Sequence, residues 1–156
     1  MILYYTYKQK TKVFAQALGD VLGLPTQELV SDINNRSRFG FICKTLQLVF
    51  ARKAYPVANM PDAIPTEIFV CSPVWGGRVS APVKYFLENI DLRGVRVHLL
   101  LTAAVPTEKY KTTAQEYLRS LGCYLGEVYL FHTSDKFMPD RDVLAEQLRG
   151  LIDGAE

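Results

Sequence analysis

Hydroxyl and amine side chains cluster directly after the first apolar run of the chain, in residues 6–11. A helical pattern follows at once, so the free backbone N–H groups of a helix start lie beside these side chains. N–H donors and the helix dipole both favour negative charge, which predicts an anion site. The segment lacks the glycines of known phosphate-binding patterns, so a simple helix cap at Thr11 with solvated lysines is the alternative. Its residues are Thr6, Tyr7, Lys8, Gln9, Lys10 and Thr11.

A second segment, residues 72–80, contains the only tryptophan of the chain and two adjacent glycines. The wide face of an indole suits stacking on a planar ring. Adjacent glycines permit positive φ and a close approach of the backbone to a ligand. The segment therefore predicts one wall of a site for a flat ligand; the alternative is a tight turn with the indole tucked against a helix. The candidate residues are Ser72, Pro73, Val74, Trp75, Gly76 and Gly77.

A third segment begins with small side chains at Thr102, Ala103 and Ala104. Small residues leave room for the edge of a bound group. A plain connector to the next helix explains them equally well.

These three segments follow three of the five strands that the pattern predicts. The strands are expected at residues 2–6, 28–31, 67–72, 95–102 and 124–132, and helices at 11–22, 39–54, 81–89, 109–121 and 140–152. The alternation predicts an α/β fold, with a parallel sheet, right-handed crossovers and helices on both faces. Ligands of such sheets bind outside the carboxyl ends of the strands. The three segments should therefore meet at one edge.

Apolar residues at helical spacing predict which helix faces point inward. Gly23 is expected to end the first helix, and Asp140 to cap the last one. The inward residues are expected to be Val13, Phe14, Ala17, Leu18, Val21 and Leu22 in the first helix, Phe41, Ile42, Thr45, Leu46, Val49 and Phe50 in the second, and Val143, Leu144, Leu148 and Leu151 in the last.

Length and composition favour a single domain over residues 1–156. The chain is 49% hydrophobic and 22% charged, which is ordinary globular usage. A net charge of +2 is too small to suggest a nucleic-acid partner. Without a long apolar run or a signal-peptide pattern, we expect no membrane association and a cytoplasmic location.

The cysteines Cys43, Cys71 and Cys123 lie far apart and form no metal-binding motif. We expect reduced, mostly buried thiols and no metal site. Cys71 beside Ser72, together with His98 and His132, leaves thiol or hydrolytic catalysis as a third alternative. Against it, no acidic partner stands at a motif spacing.

In residues 68–78 (Ile-Phe-Val-Cys-Ser-Pro-Val-Trp-Gly-Gly-Arg), the chain resembles the flavodoxin family. The likeness continues through Ala81-Pro82-Val83-Lys84 and residues 90–97, and residues 5–11 are similar to the family's phosphate loop. The resemblance implies a three-layer sandwich with a five-stranded parallel sheet in the order 2-1-3-4-5. It is specific mainly in residues 67–97.

This resemblance also implies an FMN cofactor. Its phosphate would lie in residues 6–11, with Thr6, Thr11 and backbone N–H groups as donors. Trp75 would flank the isoalloxazine, the Gly76–Gly77 peptide would face its redox-active nitrogen, and residues 102–104 would line its pyrimidine side. The implied function is that of an FMN-dependent oxidoreductase or electron-transfer protein, with a redox partner protein or a small-molecule donor or acceptor.

One difference from the family keeps a second function open. The family's phosphate loop carries Thr-Gly where this chain has Lys8-Gln9. Loss of the glycine removes an easy positive-φ position. The alternative is a flavodoxin-like domain that has lost its flavin and serves as a binding or regulatory module.

Overall fold

The computed structural model describes residues 1–133 and 140–153. Strands and helices alternate along these residues as expected, with one small additional strand. The strands are β1 (Ile2–Tyr4), β2 (Thr26–Glu28), β3 (Glu67–Trp75), β4 (Arg78–Val79), β5 (Arg96–Ala103) and β6 (Tyr124–His132). The helices are α1 (Lys10–Leu22), α2 (Arg38–Ala51), α3 (Ala81–Asn89), α4 (Glu108–Ser120) and α5 (Arg141–Asp153), and a 3₁₀ turn covers Asp32–Asn35.

The sheet has the order β2-β1-β3-β5-β6, and these five strands are parallel. This is the expected order 2-1-3-4-5, since β4 is only a short antiparallel partner at the end of β3. The predicted bounds of the second strand, 28–31, are slightly wrong, because the strand lies at Thr26–Glu28.

Two apolar cores cover the two faces of the sheet. The first is built from one face of the strands and from α2, α3 and α4, and Phe86, Leu99 and Leu118 are among its fully buried residues. The second joins α1 and α5 to the opposite face through Phe14, Leu18 and Leu144. The inward face expected for α1 is confirmed at Phe14, Ala17 and Leu18. Gly23 ends α1 with a φ of 63° and donates its N–H to the carbonyl of Gly19.

The inward face expected for α2 is largely wrong. Only Phe41 and Leu48 of this helix are buried. Ile42, Leu46 and Phe50 are exposed by 47%, 51% and 83%. The helix contains more apolar residues than one face can bury, so periodicity alone could not select the buried set.

The last helix shows the same ambiguity. Asp140 caps it as expected, accepting a hydrogen bond from the N–H of Asp142 at 2.9 Å. Leu144 and Leu148 are buried, whereas Val143 and Leu151 are exposed. The buried pair has the i, i+4 spacing of one narrow helix face.

Within the described residues, no helix combines the length and the apolar character needed to cross a bilayer.

Candidate functional site

The sheet register brings the three candidate segments to one edge. Tyr4 of β1 lies beside Cys71 of β3, which lies beside Leu100 of β5. Further along, Pro73 is level with Thr102. Since the three strands are adjacent and parallel, residues 5–11, 72–80 and 102–109 leave the sheet at the same edge.

The loop between β1 and α1 has a left-handed backbone without any glycine. Lys8 has a φ of 59° and Gln9 a φ of 61°, and both side chains are exposed. Gln9 is the N-cap of α1 but makes no capping hydrogen bond with its side chain. The alternative of a cap at Thr11 is therefore wrong, because Thr11 lies inside the helix. The chain keeps a turn that favours glycine, at a conformational cost of about 1–2 kcal/mol for each residue.

Three backbone N–H groups just before this helix have no hydrogen-bond acceptor among the described residues. The backbone N–H groups of Tyr7, Lys8 and Gln9 donate no hydrogen bond to the part of the chain that the structure describes. Helix starts without capping groups hold N–H groups that water or an anion must satisfy. The loop thus has the donor set of an anion site.

Thr6 is the most unusual side chain of this loop. It is 1% exposed, and its hydroxyl oxygen has no hydrogen-bond partner. Its carbonyl accepts a hydrogen bond from Nδ2 of Asn34 at 3.1 Å, and Oδ1 of Asn34 accepts the hydroxyl of Tyr5 at 2.7 Å. The backbone is therefore anchored while the hydroxyl remains unsatisfied, which costs about 1–3 kcal/mol in a buried position.

A hydroxyl pair joins this loop to the third segment. The hydroxyl oxygens of Thr11 and Thr102 lie 3.0 Å apart in a buried position. Ala103 is buried at the end of β5, and Ala104 is exposed. This buried hydroxyl contact thus joins the first segment to the third.

The second segment is a β-hairpin and not an open loop. Strand β3 continues through Trp75, and β4 pairs Val79 with Val74 and Arg78 with Trp75. Gly76 and Gly77 form the two-residue turn with φ values of 56° and 80°, as hairpin turns of this kind require. The hydroxyl of Ser72 anchors the base of the hairpin, accepting the N–H of Ser80 at 2.9 Å.

The two glycines also let the hairpin tip pack between two helices. A Cβ at Gly76 would overlap with Cγ1 of Val49 in α2, and one at Gly77 would lie 3.4 Å from Cε1 of Tyr110 in α4. The lack of a side chain at these two glycines therefore allows the hairpin to pack against α2 and α4, and it also allows the turn itself.

Trp75 is half-buried and belongs to an aromatic cluster. Its indole meets the rings of Tyr5 and Phe41 edge-on, at centroid distances of 5.6 and 5.7 Å. Phe41 in turn stacks on Tyr7 at 3.6 Å with an angle of 7° between the rings. Sequence reasoning missed Asn34 and Phe41 as part of this site, and it named Tyr5 only within the segment similar to a phosphate loop. The Tyr-x-Tyr spacing after β1 was the one signal for an aromatic cluster.

The residues of the thiol alternative are not brought together. Cys71 is fully buried, and burial raises the pKa of its thiol strongly. His98 lies toward the opposite edge of the sheet, where its Nε2 is 3.1 Å from Glu67 and its Nδ1 accepts the N–H of Glu127. His132 ends β6, and no hydrogen bond joins the thiol of Cys71 to either histidine among the described residues, so these side chains do not form a nucleophile–base pair.

Comparison with family models gives no match, and neither does comparison with curated protein sequences. Solved structures do match. A candidate flavoprotein from Bacteroides uniformis has a TM-score of 0.71 at 12% identity, covering 96% of each chain. Another, from Bacteroides eggerthii, has a TM-score of 0.69 at 14% identity, covering 97% of this chain and 96% of the other.

A flavoprotein from Lactobacillus acidophilus, solved in complex with FMN, has a TM-score of 0.66 at 20% identity. The match covers 83% of this chain and 90% of that one. At these identities the likeness concerns the backbone. The strand order, the layers and the structural matches together show that this chain has a flavodoxin-like fold.

Proposed function

We propose that this protein binds FMN and acts as a redox protein, carrying electrons or hydride through the flavin. The observation that carries the proposal is the hydroxyl of Thr6, which is buried and unsatisfied beside an uncapped helix start. Such a hydroxyl is costly unless a ligand completes it. An FMN-bound flavoprotein among the structural matches makes FMN the ligand to test first.

The residues present fit an FMN phosphate. The hydroxyl of Thr6 and the backbone N–H groups of residues 7–11 would donate to it. The left-handed turn at Lys8 and Gln9 keeps the backbone shape that glycine would otherwise provide. Lys8 and Lys10 add positive charge, which acts as a point charge rather than a shaped fork. Thr11 contributes a hydroxyl already shared with Thr102.

The isoalloxazine would lie against the hairpin and the end of β5. Trp75 would flank the ring, the Gly76–Gly77 peptide would face the redox-active nitrogen, and Thr102, Ala103 and Ala104 would line the pyrimidine side. Ser72, Pro73 and Val74 form the strand that supports the hairpin. Tyr5 and Phe41 fix the indole edge-on, which restricts its orientation.

When bound, FMN supplies hydride transfer and single-electron transfer, while the protein supplies binding, orientation and electrostatics. No side chain of this site needs to serve as a general acid or base. The donor and acceptor are a redox partner protein or a small molecule.

The test is flavin extraction from freshly purified protein, followed by mass measurement and by titration of flavin-free protein with FMN and riboflavin. Riboflavin lacks the phosphate, so a phosphate site in residues 6–11 predicts that FMN binds at least about 100-fold more tightly, a difference of roughly 2.7 kcal/mol. Equal affinities would refute the phosphate site, and no binding of either flavin would refute the function.

A second candidate is a flavin-free binding or regulatory module. It is favoured by the stacking of Tyr7 on Phe41, which lets aromatic surfaces beside the loop satisfy one another without a ligand. Under this alternative, FMN leaves the fluorescence of Trp75 unchanged at every concentration tested.

A further inference from the structure

A cavity of about 150 Å³ lies behind the hairpin, between α2, α3 and α4. Its walls are mainly apolar. They are formed by Leu48, Val49, Trp75, Val79, Ala81, Thr113, Ala114 and Tyr117. A protein cavity of about 150 Å³ accommodates one benzene-sized ring. Trp75 belongs to these walls and also to the aromatic cluster described above.

The remaining wall residues are all cationic: Arg52, Lys53, Arg78 and Lys84. No acidic side chain is among the residues that line the cavity. Lys84 is partly neutralised, since its Nζ lies 3.6 Å from Glu88 and donates to the carbonyl of Arg52 at 2.5 Å. Neither Arg52, Lys53 nor Arg78 forms a salt bridge within the described ranges 1–133 and 140–153.

Arg52 stands in a strained backbone position beside this cavity. It follows the last residue of α2 with a φ of 52°, where its N–H bonds to the carbonyls of Leu48 and Val49. Glycine is the residue that suits this position at a helix end. Strain at a non-glycine residue persists where the surroundings determine it, and such positions are enriched at ligand sites. Here the strained residue brings a guanidinium to the cavity.

We propose that this cavity is a binding site for a monocyclic aromatic carboxylate, with its ring in the apolar cavity beside Trp75 and its carboxylate among Arg52, Lys53 and Arg78. This site is separate from the proposed phosphate loop and does not require FMN.

The residues of the cavity walls indicate both the ring and the carboxylate of the ligand. A single ring matches the cavity volume and gains contact with the indole. A carboxylate matches a guanidinium in a bidentate fork. A neutral ring of equal size would form no ion pair with the three exposed cations, and a small inorganic anion would leave the apolar walls empty.

Fluorescence provides a direct assay, because Trp75 is the only tryptophan of the chain. Flavin-free protein is titrated with benzoate, benzamide and inorganic phosphate at low and high salt. We expect benzoate to change the emission saturably and to bind at least about tenfold more tightly than benzamide or phosphate, and salt to weaken it. Equal effects of benzoate and benzamide, or saturation by phosphate alone, would overturn the proposal.

Two variants remove charge in a matched way. Arg78→Gln should weaken benzoate binding about three- to fivefold, as expected for loss of one exposed ion pair. Arg149→Gln makes the same change in α5, on the opposite face of the sheet, and should leave binding unchanged. Equal effects of the two variants would show only a general response to net charge.

Two further variants separate binding from folding. Arg52→Gly relieves the left-handed strain, so the melting temperature should stay or rise while benzoate binding weakens. Ala114→Leu fills the cavity without altering charge and should abolish the response to benzoate. Unchanged benzoate affinity in a folded Ala114→Leu protein would exclude the cavity. Since the assay uses flavin-free protein, its outcome does not depend on whether FMN binds.

Discussion

The hydroxyls of Thr11 and Thr102 lie 3.0 Å apart in the interior and join the first turn of α1 to the end of β5. These residues are 91 positions apart in the chain. Their contact holds two of the candidate segments at a fixed separation. Replacing either threonine leaves the other hydroxyl buried and unsatisfied.

This contact predicts strong coupling in a double-mutant cycle. Thr11→Val and Thr102→Val should each lower the free energy of unfolding by about 1–2 kcal/mol, whereas the double variant should cost less than their sum. Denaturant unfolding measures all four proteins. Additive losses would show that the two hydroxyls do not share a hydrogen bond.

Thr6→Val should change stability and FMN affinity in opposite directions. Removing an unsatisfied buried hydroxyl should leave the flavin-free protein as stable or about 1 kcal/mol more stable, while FMN affinity falls at least about tenfold. Among the described residues, Thr45 of α2 also has a buried hydroxyl without a hydrogen-bond partner. Thr45→Val is the matched control and should change stability in the same way without affecting FMN. Equal FMN affinity in the Thr6 and Thr45 variants would argue against a phosphate contact at Thr6.

Gln9→Gly should stabilise the protein. A φ of 61° is strained for glutamine but not for glycine. Relief of this strain outweighs the larger backbone entropy that glycine loses on folding, so the free energy of unfolding should rise by about 0.5–1 kcal/mol. Gln16→Gly, in the middle of α1, should instead cost about 1 kcal/mol. Thermal unfolding compares the two, and a loss of stability at both positions would show that the loop is not left-handed in solution.

Gly76→Ala should be far more damaging than Gly23→Ala. Both glycines have positive φ, but a Cβ at Gly76 overlaps with Val49 and one at Gly23 meets nothing within 4 Å. We expect a loss of about 1 kcal/mol at Gly23 and of about 3 kcal/mol at Gly76. Adding Val49→Ala should recover part of the Gly76 loss. Without that recovery, packing of the hairpin against α2 would not be the cause.

Alkaline unfolding should depend on Tyr4. Burial, and then the nearby carboxylate of Glu28, raises the pKa of Tyr4 to about 12, above the value of about 10 in an unfolded chain. The unfolded state therefore loses this proton first, so stability is lost as the pH rises from about 10 to about 12.

The corresponding measurement is chemical denaturation across this pH range. Tyr4→Phe should make the decline less steep without removing it, because burial also raises the pKa values of Tyr5 and Tyr117. Tyr124→Phe, at a residue that is 65% exposed, should leave the slope unchanged. Parallel declines in Tyr4→Phe and the parent protein would assign the alkaline transition to other groups.

Much of the fold could be predicted because it depends on local patterns. The run from Glu67 is nearly continuous in apolar residues, as a central strand buried on both faces must be. Gly23 ends α1, and Asp140 caps the start of α5. Both do so through hydrogen bonds to residues only a few positions away in the chain. The positions of the three candidate segments followed from the order of these elements.

The buried face of α2 could not be predicted in the same way. Phe41 and Phe50 are equally apolar, yet one is 6% exposed and the other 83%. Which of them is buried depends on how the helix is rotated against α3 and the hairpin. No pattern within α2 specifies that rotation.

The sequence by itself determined a parallel α/β sheet, the edge where ligand-binding segments collect, and the residue types present there. Only the tertiary structure decided that Thr6 is unsatisfied, that Thr11 meets Thr102, and that Gly76 accommodates Val49. Strand and helix periodicity is set by backbone geometry between neighbouring residues. Contacts between distant residues depend on how the packed elements settle against one another, which no short stretch of sequence encodes.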